Sequence, residues 1–235
     1  MSSTGNYEHL PLANGDVAPI RVRVDGRAKR ISIKVDRIGG VVTLTAPTRA
    51  ALPAARRFLS TRTRWIAEKR AGVEPMQPFA DGGVVPFLGR NRHIAYDPAA
   101  QDPVLLTPDR LIVGGAESAL AAAVRTFLKA EAKRRLWAAA QSYARQIDRE
   151  VVAISVRDAK TRWGSCGDTG RLSFSWRLVM APESVLTYVA AHEVAHLRHM
   201  HHGPEFWALV AELDPAWEAA ETWLKQDGPG LRRYG

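Results

Sequence analysis

The chain has 235 residues, of which 46% are hydrophobic, and carries a formal net charge of +9 at pH 7. This composition is typical of a globular protein with a sizeable core, and the single cysteine, Cys166, excludes an intramolecular disulfide and a four-cysteine zinc site. The polar N-terminus lacks an apolar signal segment and no run approaches about 18 apolar residues, so we expect a cytoplasmic protein that does not enter a membrane.

The first part of the chain has the pattern of short β-strands. After a polar arm at residues 1–16, which we expect to be flexible, three segments alternate apolar and polar residues around Asp-Gly and Gly-Gly turns: PIRVRVDG, KRISIKVD and GVVTLTAP. This pattern predicts an antiparallel β-meander. From Arg49 the spacing becomes helical as far as Trp65 and Ile66, and strands are expected again at VVPFLG, RHIAYD, PVLLT and RLIVGG. Residues 17–115 should therefore form a β-rich N-terminal portion with helices.

The longest periodic segment covers residues 117–148. Apolar residues such as Leu120, Val124, Leu128 and Leu136 recur at steps of three and four, which predicts a long amphipathic helix, either continuous or broken once. A strand at VVAISVRD follows, and the alternation in RLSFSWRLVM predicts a second strand with one buried face.

The rest of the chain has helical patterns. Pro182 suits a first helical position, and no further Pro or Gly occurs before about Arg198. Gly203 and Pro204 end that segment and begin a second helix, a last helix follows near Trp217, and DGPGLRRYG has the composition of a frayed tail.

Five of the seven histidines lie within AHEVAHLRHMHHGPEFW, where residues 192–196 fit the pattern H-E-x-x-H. On a helix, a separation of four residues leaves two side chains roughly 40° apart and one turn along the axis, so His192 and His196 can reach one metal ion. Glu193 is placed to reach a metal-bound water rather than the metal itself. A solvated, histidine-rich helix end is the alternative, and it leaves the placement of Glu193 unexplained.

A tetrahedral catalytic zinc needs three protein ligands and one open position, so a third ligand is expected downstream. His202 is favoured because it precedes a turn at Gly203 and lies ten residues after His192, which is the metzincin spacing. The fit is partial, because His199 stands where that pattern has glycine. The other candidates for the third ligand are His199, His201, Glu212 and Glu218.

Several neighbouring residues have two readings. Trp163-Gly164-Ser165-Cys166 would lie beside the metal, with Ser165 or Arg162 facing a developing oxyanion. Alternatively, Trp163 is core, Gly164 permits a turn and Cys166 is a small buried residue. We expect Trp176, Phe206, Trp207 and Tyr188 to pack around the ligand helix.

Residues 161–207, TRWGSCGDTGRLSFSWRLVMAPESVLTYVAAHEVAHLRHMHHGPEFW, resemble the YgjP-like metallopeptidase domain family, a zincin group related to SprT-type proteases. The shared features are the Arg-Trp-Gly-Ser-Cys phrase, the Trp-Arg-Leu core of a strand, a Tyr-Val pair, the H-E-x-x-H helix and a later H-x-x-x-F-W. The N-terminal strands and the helix with Trp65 also look like that family.

The resemblance implies an α+β fold, with a zincin-like catalytic domain at residues 116–228, a tail at 229–235 and a β-rich N-terminal portion. It also implies Zn²⁺ bound by His192, His196 and His202, with Glu193 as the catalytic residue.

The expected function is hydrolysis of a peptide or protein substrate by a zinc-activated water, with Glu193 taking the proton and passing it to the leaving amine. Two alternatives remain open. The net charge of +9 favours encounter with nucleic acid, so the protein would instead be nucleic-acid-associated, with a structural or conditionally active zinc site. The third reading is a zinc hydrolase of non-peptide amides. No oligomeric state is predicted.

Overall fold

The computed structural model describes residues 8–159, 161–167 and 169–235 of the chain. Its buried apolar side chains form two clusters, one within residues 12–67 and the other within residues 79–234. The chain accordingly divides into two units, Met1–Met76 and Gln77–Gly235, whereas the sequence pattern predicts a boundary after residue 115. Residues 1–7 of the predicted arm lie outside the described residues, and Glu8–Pro11 of that arm form a strand.

The first unit contains a four-stranded sheet with the order β1-β2-β4-β3: Glu8–Pro11, Val17–Val24, Val42–Ala46 and Ser32–Val35, respectively. The predicted meander is wrong, because β2 pairs with β4 in parallel and β3 pairs with β4 at the edge. Strand β4 is central because Val42, Leu44 and Ala46 are fully buried. Strand β3 exposes Ser32 and Lys34, which suits an edge position.

Two helices follow this sheet where helical spacing was predicted. Helix α1 spans Leu52–Ser60 and helix α2 spans Thr63–Ala71, after a 3-10 turn at Arg49–Ala51. Ala55, Leu59, Ile66 and Ala67 are the buried side chains that join the apolar face of the sheet in one core.

The second unit begins with four strands: β5 at Val84–Phe87, β6 at Arg90–Tyr96, β7 at Val104–Leu106 and β8 at Arg110–Val113. These strands lie where the sequence predicts them and have the order β5-β6-β8-β7. Val85, Phe87, Ile94 and Leu111 belong to the same apolar core as the helices that follow. This shared core places the sheet in the second unit.

Helix α3, Leu120–Gln146, is continuous, which settles the question of a break. A buried residue occurs at every fourth position from Leu120 through Ala140 to Ala144, and this spacing keeps one face of the helix on the core. None of the helices that the described residues form is both long enough and apolar enough to cross a bilayer.

A three-stranded sheet follows α3, with the order β10-β11-β9: Gly164–Cys166, Arg171–Ser175 and Ala153–Arg157. The predicted strand at RLSFSWRLVM ends early, because Trp176–Met180 form a 3-10 helix. The hydroxyl of Ser175 accepts a hydrogen bond from the backbone N–H of Arg177 at 3.4 Å, which caps this helix. All five of its residues are buried, so they have no solvent-facing side for an alternating strand.

The chain ends with helices α4 at Glu183–Ala195, α5 at Pro204–Leu213 and α6 at Trp217–Gln226. Pro182 is the N-cap of α4, so the helix begins one residue after the predicted start. The frayed tail is a wrong prediction, because Gly228–Arg233 form a 3-10 helix in which Leu231 is 5% exposed. The backbone of Gly235 also donates to the carbonyl of Gln77 at 2.9 Å.

Candidate active site

Helix α4 carries His192 and Glu193, and its packing sets their directions. Its side chains from Tyr188 to Ala191, and again at Val194 and Ala195, are buried in the core. His196 caps the helix and keeps a right-handed helical backbone, so the spacing of four residues retains its helical geometry. The two imidazoles therefore face the same side, as predicted.

The rings of His192, His196 and His202 converge. Each offers one ring nitrogen, and these three nitrogens lie within 4.8 Å of one another. The Nε2 atoms of His192 and His202 are 3.1 Å apart, close to the about 3.3 Å between two nitrogens of a tetrahedral zinc site with bonds of about 2.0–2.1 Å. The turn before α5 thus brings His202 to the two helical histidines.

The other predicted candidates lie elsewhere. In the part of the chain that the structure describes, the group suited to a metal contains neither His199, His201, Glu212 nor Glu218. His199 contributes through its backbone instead, because its carbonyl lies 3.1 Å from Nδ1 of His196. Its ring lies 4.0 Å from a carboxylate oxygen of Glu205.

The contacts of the three histidines fit a metal ion. A carbonyl oxygen only accepts, so Nδ1 of His196 carries the proton and Nε2 keeps its lone pair for a ligand bond. The centre of the Phe206 ring lies 5.0, 4.6 and 4.7 Å from the ring centres of His192, His196 and His202, so this apolar ring packs against all three.

The protonation states of His192 and His196 agree with that fit. Burial and the two neighbouring imidazoles lower the pKa of His192 to about 4, and burial also lowers the pKa of His196. Both rings are therefore neutral near pH 7, which is the form that binds zinc.

Glu193 is 5% exposed and lies against strand β10. A Cβ atom added to Gly164 would be 2.6 Å from Cγ and 2.7 Å from Cδ of Glu193, with Oε1 closer still. Glycine is thus required at position 164, because a side chain there would collide with Glu193. Gly164 pairs with Phe174 inside strand β10, so its interpretation as a turn residue is wrong. Burial raises the pKa of Glu193 to about 8, and the positive charge of Arg162 acts in the opposite direction.

The segment before Gly164 borders a cavity of about 640 Å³ on the sheet β10-β11-β9, which is lined by Arg162, Ser165 and Ser173 among others. Arg162 is exposed, whereas Trp163 and Cys166 are half-buried. Trp163 is covered by the C-terminal segment: the Arg232 guanidinium lies 5.2 Å from its ring centre, and a Cβ at Gly228 would be 3.1 Å from its Cζ2 atom.

Arg177 is a buried residue that the sequence analysis missed. Its guanidinium donates to the carbonyls of Leu231 and Tyr234 at 3.0 and 2.7 Å, and to the carboxylate of Asp158 at 2.7 and 3.2 Å. Arg177 therefore ties the C-terminal segment to the end of β9. An arginine between the apolar residues Trp176 and Leu178 was the signal in the sequence.

The packing residues lie close to their predicted places. Trp176 is 1% exposed, and Tyr188 is 4% exposed with its ring edge toward His192 at 5.9 Å. Trp207 stacks on His202 at 5.8 Å and on Trp217 at 4.7 Å. Tyr188 and Trp207 therefore flank the histidine group.

A helix that presents two histidines and a glutamate, with a third histidine after the next turn, is the arrangement of a metallopeptidase site. The chain belongs to the YgjP-like metallopeptidase domain family, whose model matches residues 29–227. This match confirms the resemblance inferred from residues 161–207 and the α+β fold class. No curated protein matches the chain.

A search of solved structures finds the crystal structure of the metallopeptidase zymogen of Pyrococcus abyssi abylysin. It is similar to this chain at 18% sequence identity and a TM-score of 0.36, over 42% of this chain and 97% of that one.

Proposed function

We propose that this protein is a zinc-dependent peptidase that cleaves peptide bonds in a peptide or protein substrate. His192, His196 and His202 hold the metal in this proposal, and Glu193 is the general base. The observation that carries it is the convergence of three imidazoles beside a buried glutamate, in a chain of a metallopeptidase family.

A metal held by these histidines would act as a Lewis acid, which polarises the substrate carbonyl and makes a coordinated water more acidic. The protein supplies the proton transfers. The positive charges of Arg162 and of a metal held by the three histidines oppose the effect of burial and favour the ionised form of Glu193. A carboxylate oxygen of Glu193 then accepts a proton from the attacking water and delivers it to the nitrogen of the leaving amine. The His199 carbonyl and the Phe206 ring hold the imidazoles in place, so the ligands need little reorganisation.

The substrate is proposed to lie along strand β10. Among the described strands, β10 pairs only with β11, so its outer edge has backbone groups available for an extended peptide. Gly164 on this strand contacts Glu193, and Arg162 precedes it with an exposed cation. We propose Arg162 as the group that faces the developing oxyanion.

The prediction that residues 116–228 form the catalytic domain is also part of this proposal.

The roles of Glu193 and His202 are tested by two variants. Glu193→Gln should keep bound zinc, measured by elemental analysis, and lose cleavage of a peptide library in which a chelator defines the background. His202→Ala should lower the zinc content, whereas His201→Ala, its exposed neighbour, should not. Full activity of Glu193→Gln contradicts the role of the base, and unchanged zinc in His202→Ala contradicts the ligand set.

A further inference from the structure

The positive charge of the chain is concentrated in the first unit. Residues 1–76 contain 14 lysines and arginines against six aspartates and glutamates, a net charge of +8. Residues 77–235 contain 19 against 18, a net charge of +1. The unit with the histidine site is thus almost neutral, and an anionic partner is attracted to the other unit.

A groove runs along the edge strand β3 in this basic unit. Two adjoining cavities of about 370 and 490 Å³ share Ile33 and Trp65 in their walls. Residues 30–37 form one wall, and the other is formed by Phe58 on α1, by Trp65 and Lys69 on α2, and by Arg62 between the two helices. We call this feature the β3 groove.

Two aromatic rings are exposed in the β3 groove. Phe58 is 36% exposed and Trp65 is 37% exposed, although both are large apolar side chains on short helices. The Arg62 guanidinium lies over the Phe58 ring at 5.1 Å from its centre. A cation beside an open aromatic face suits a partner with both phosphates and planar rings.

The cations of the β3 groove are largely uncompensated. Arg30, Lys34, Arg37 and Arg62 form no ion pair with any residue that the structure describes, although other arginines of this unit do. The acidic residues in its walls are Asp36 and Glu68. Asp36 accepts a hydrogen bond from the N–H of Ile38, and Glu68 pairs with Arg64.

We propose that the β3 groove binds single-stranded nucleic acid. The four cations contact successive phosphates, and bases stack on Trp65 and Phe58. A single strand is favoured over a duplex because paired bases do not offer their faces to side chains. A peptide strand added to β3 is the less favoured partner, since this edge has only four residues and carries Lys34, a residue typical of edges that resist pairing.

Binding is measured by the fluorescence anisotropy of a labelled oligothymidylate of about 20 nucleotides, long enough for a groove of this kind. The full chain is titrated at several KCl concentrations. If four phosphates are contacted, the logarithm of the affinity should fall with the logarithm of the salt concentration with a slope of about −3. The Glu193→Gln variant should bind equally well, so this result is independent of peptidase activity.

Substitutions test the location. Trp65→Ala and Phe58→Ala should each weaken binding about tenfold, the loss typical of one stacked base. Arg62→Ala should weaken binding and reduce the salt slope by about 0.7. Trp137→Ala is the matched control, because Trp137 is 39% exposed but lies on α3 in the other unit. Each side chain is at the surface, and circular dichroism checks that the fold is kept.

Three results would overturn the proposal. The first is a lack of saturable binding at low salt. The second is unchanged affinity in both aromatic variants, which would mean that charge alone attracts the strand. The third is equal competition by polyglutamate or by a DNA duplex, which would assign the groove to acidic peptides or to any polyanion.

Discussion

Gly164→Ala is the sharpest test of how the active site is assembled, because it adds one methyl group where the structure has room for none. The atoms nearest to the added Cβ all belong to Glu193, with Cγ at 2.6 Å and Cδ at 2.7 Å. Carbon atoms in contact are separated by about 3.5 Å, so the side chain of Glu193 must withdraw by about 0.9 Å.

Two effects of different size are expected from this displacement. Overpacking of this kind costs about 1–3 kcal/mol of unfolding free energy. A shift of about 1 Å in a catalytic group lowers the rate about 100-fold. The zinc content should stay unchanged, since the added atom has no histidine among its nearest neighbours. We therefore expect a folded, zinc-loaded protein with about 1% of the peptidase activity.

The assay compares this variant with Gly167→Ala, a control in the same hairpin. A Cβ at Gly167 would lie 3.4 Å from the carbonyl oxygen of Arg171, an ordinary contact. Peptide cleavage, zinc content and urea denaturation are measured for both. Wild-type activity in Gly164→Ala would refute the assignment of Gly164 as the residue that makes room for Glu193, the proposed general base.

A double-mutant cycle separates packing from catalysis. Glu193→Ala removes the atoms that the new methyl group meets, so Gly164→Ala should destabilise the wild type but not the Glu193→Ala background. A coupling energy near zero would contradict the steric explanation.

Three further outcomes are expected. Arg134 and then Arg135 lower the pKa of Glu131 from its ordinary 4.5. The ionised Glu131 carboxylate therefore stabilises the folded state above pH 4.5, and this stabilisation is lost as the pH falls through the lowered pKa. Glu131→Gln should therefore cost about 0.5–1 kcal/mol in urea denaturation at pH 7 and nothing near pH 2; an equal cost at both would contradict this. Arg177→Met should cost about 3 kcal/mol and make the C-terminal segment sensitive to carboxypeptidase, and resistance would show that Arg177 does not anchor it. Removal of metal by a chelator should lower the melting temperature, and added zinc should restore it. A free zinc concentration about a thousand times the Kd should stabilise the folded state by about 4 kcal/mol. An unchanged melting temperature would argue against a bound metal.

The sequence predicted the elements whose signals are local. Helix α3 and strands β5 to β8 lie where periodicity and turn residues indicated them, because each pattern reports burial within one segment. The meander was wrong because alternation shows that a strand has two faces but does not identify its neighbour. Pairing of β2 with β4 depends on which strands have neighbours on both sides, and that is a property of the whole sheet.

The site divides in the same way. His192, Glu193 and His196 were readable because one helical turn relates them, and His202 because it lies shortly before the next helix. Gly164 and Arg177 were not, since their partners are distant in sequence: Glu193 for Gly164, and Leu231 and Tyr234 for Arg177. Both residues lie inside the phrases that identify the family, so the motif indicated their positions without indicating their contacts.

These distant contacts form a continuous support for Glu193, the proposed general base. Arg177 holds the C-terminal segment, and Gly228 and Arg232 of that segment cover Trp163. Trp163 precedes Gly164, whose missing Cβ leaves the space beside β10 that Glu193 occupies. The backbone carbonyl of Trp163 also accepts from the N–H of Ser175 at 2.8 Å, which fixes this strand to β11. The position of Glu193, the proposed general base, therefore depends on residues near the C-terminus, and a frayed tail would leave Trp163 uncovered.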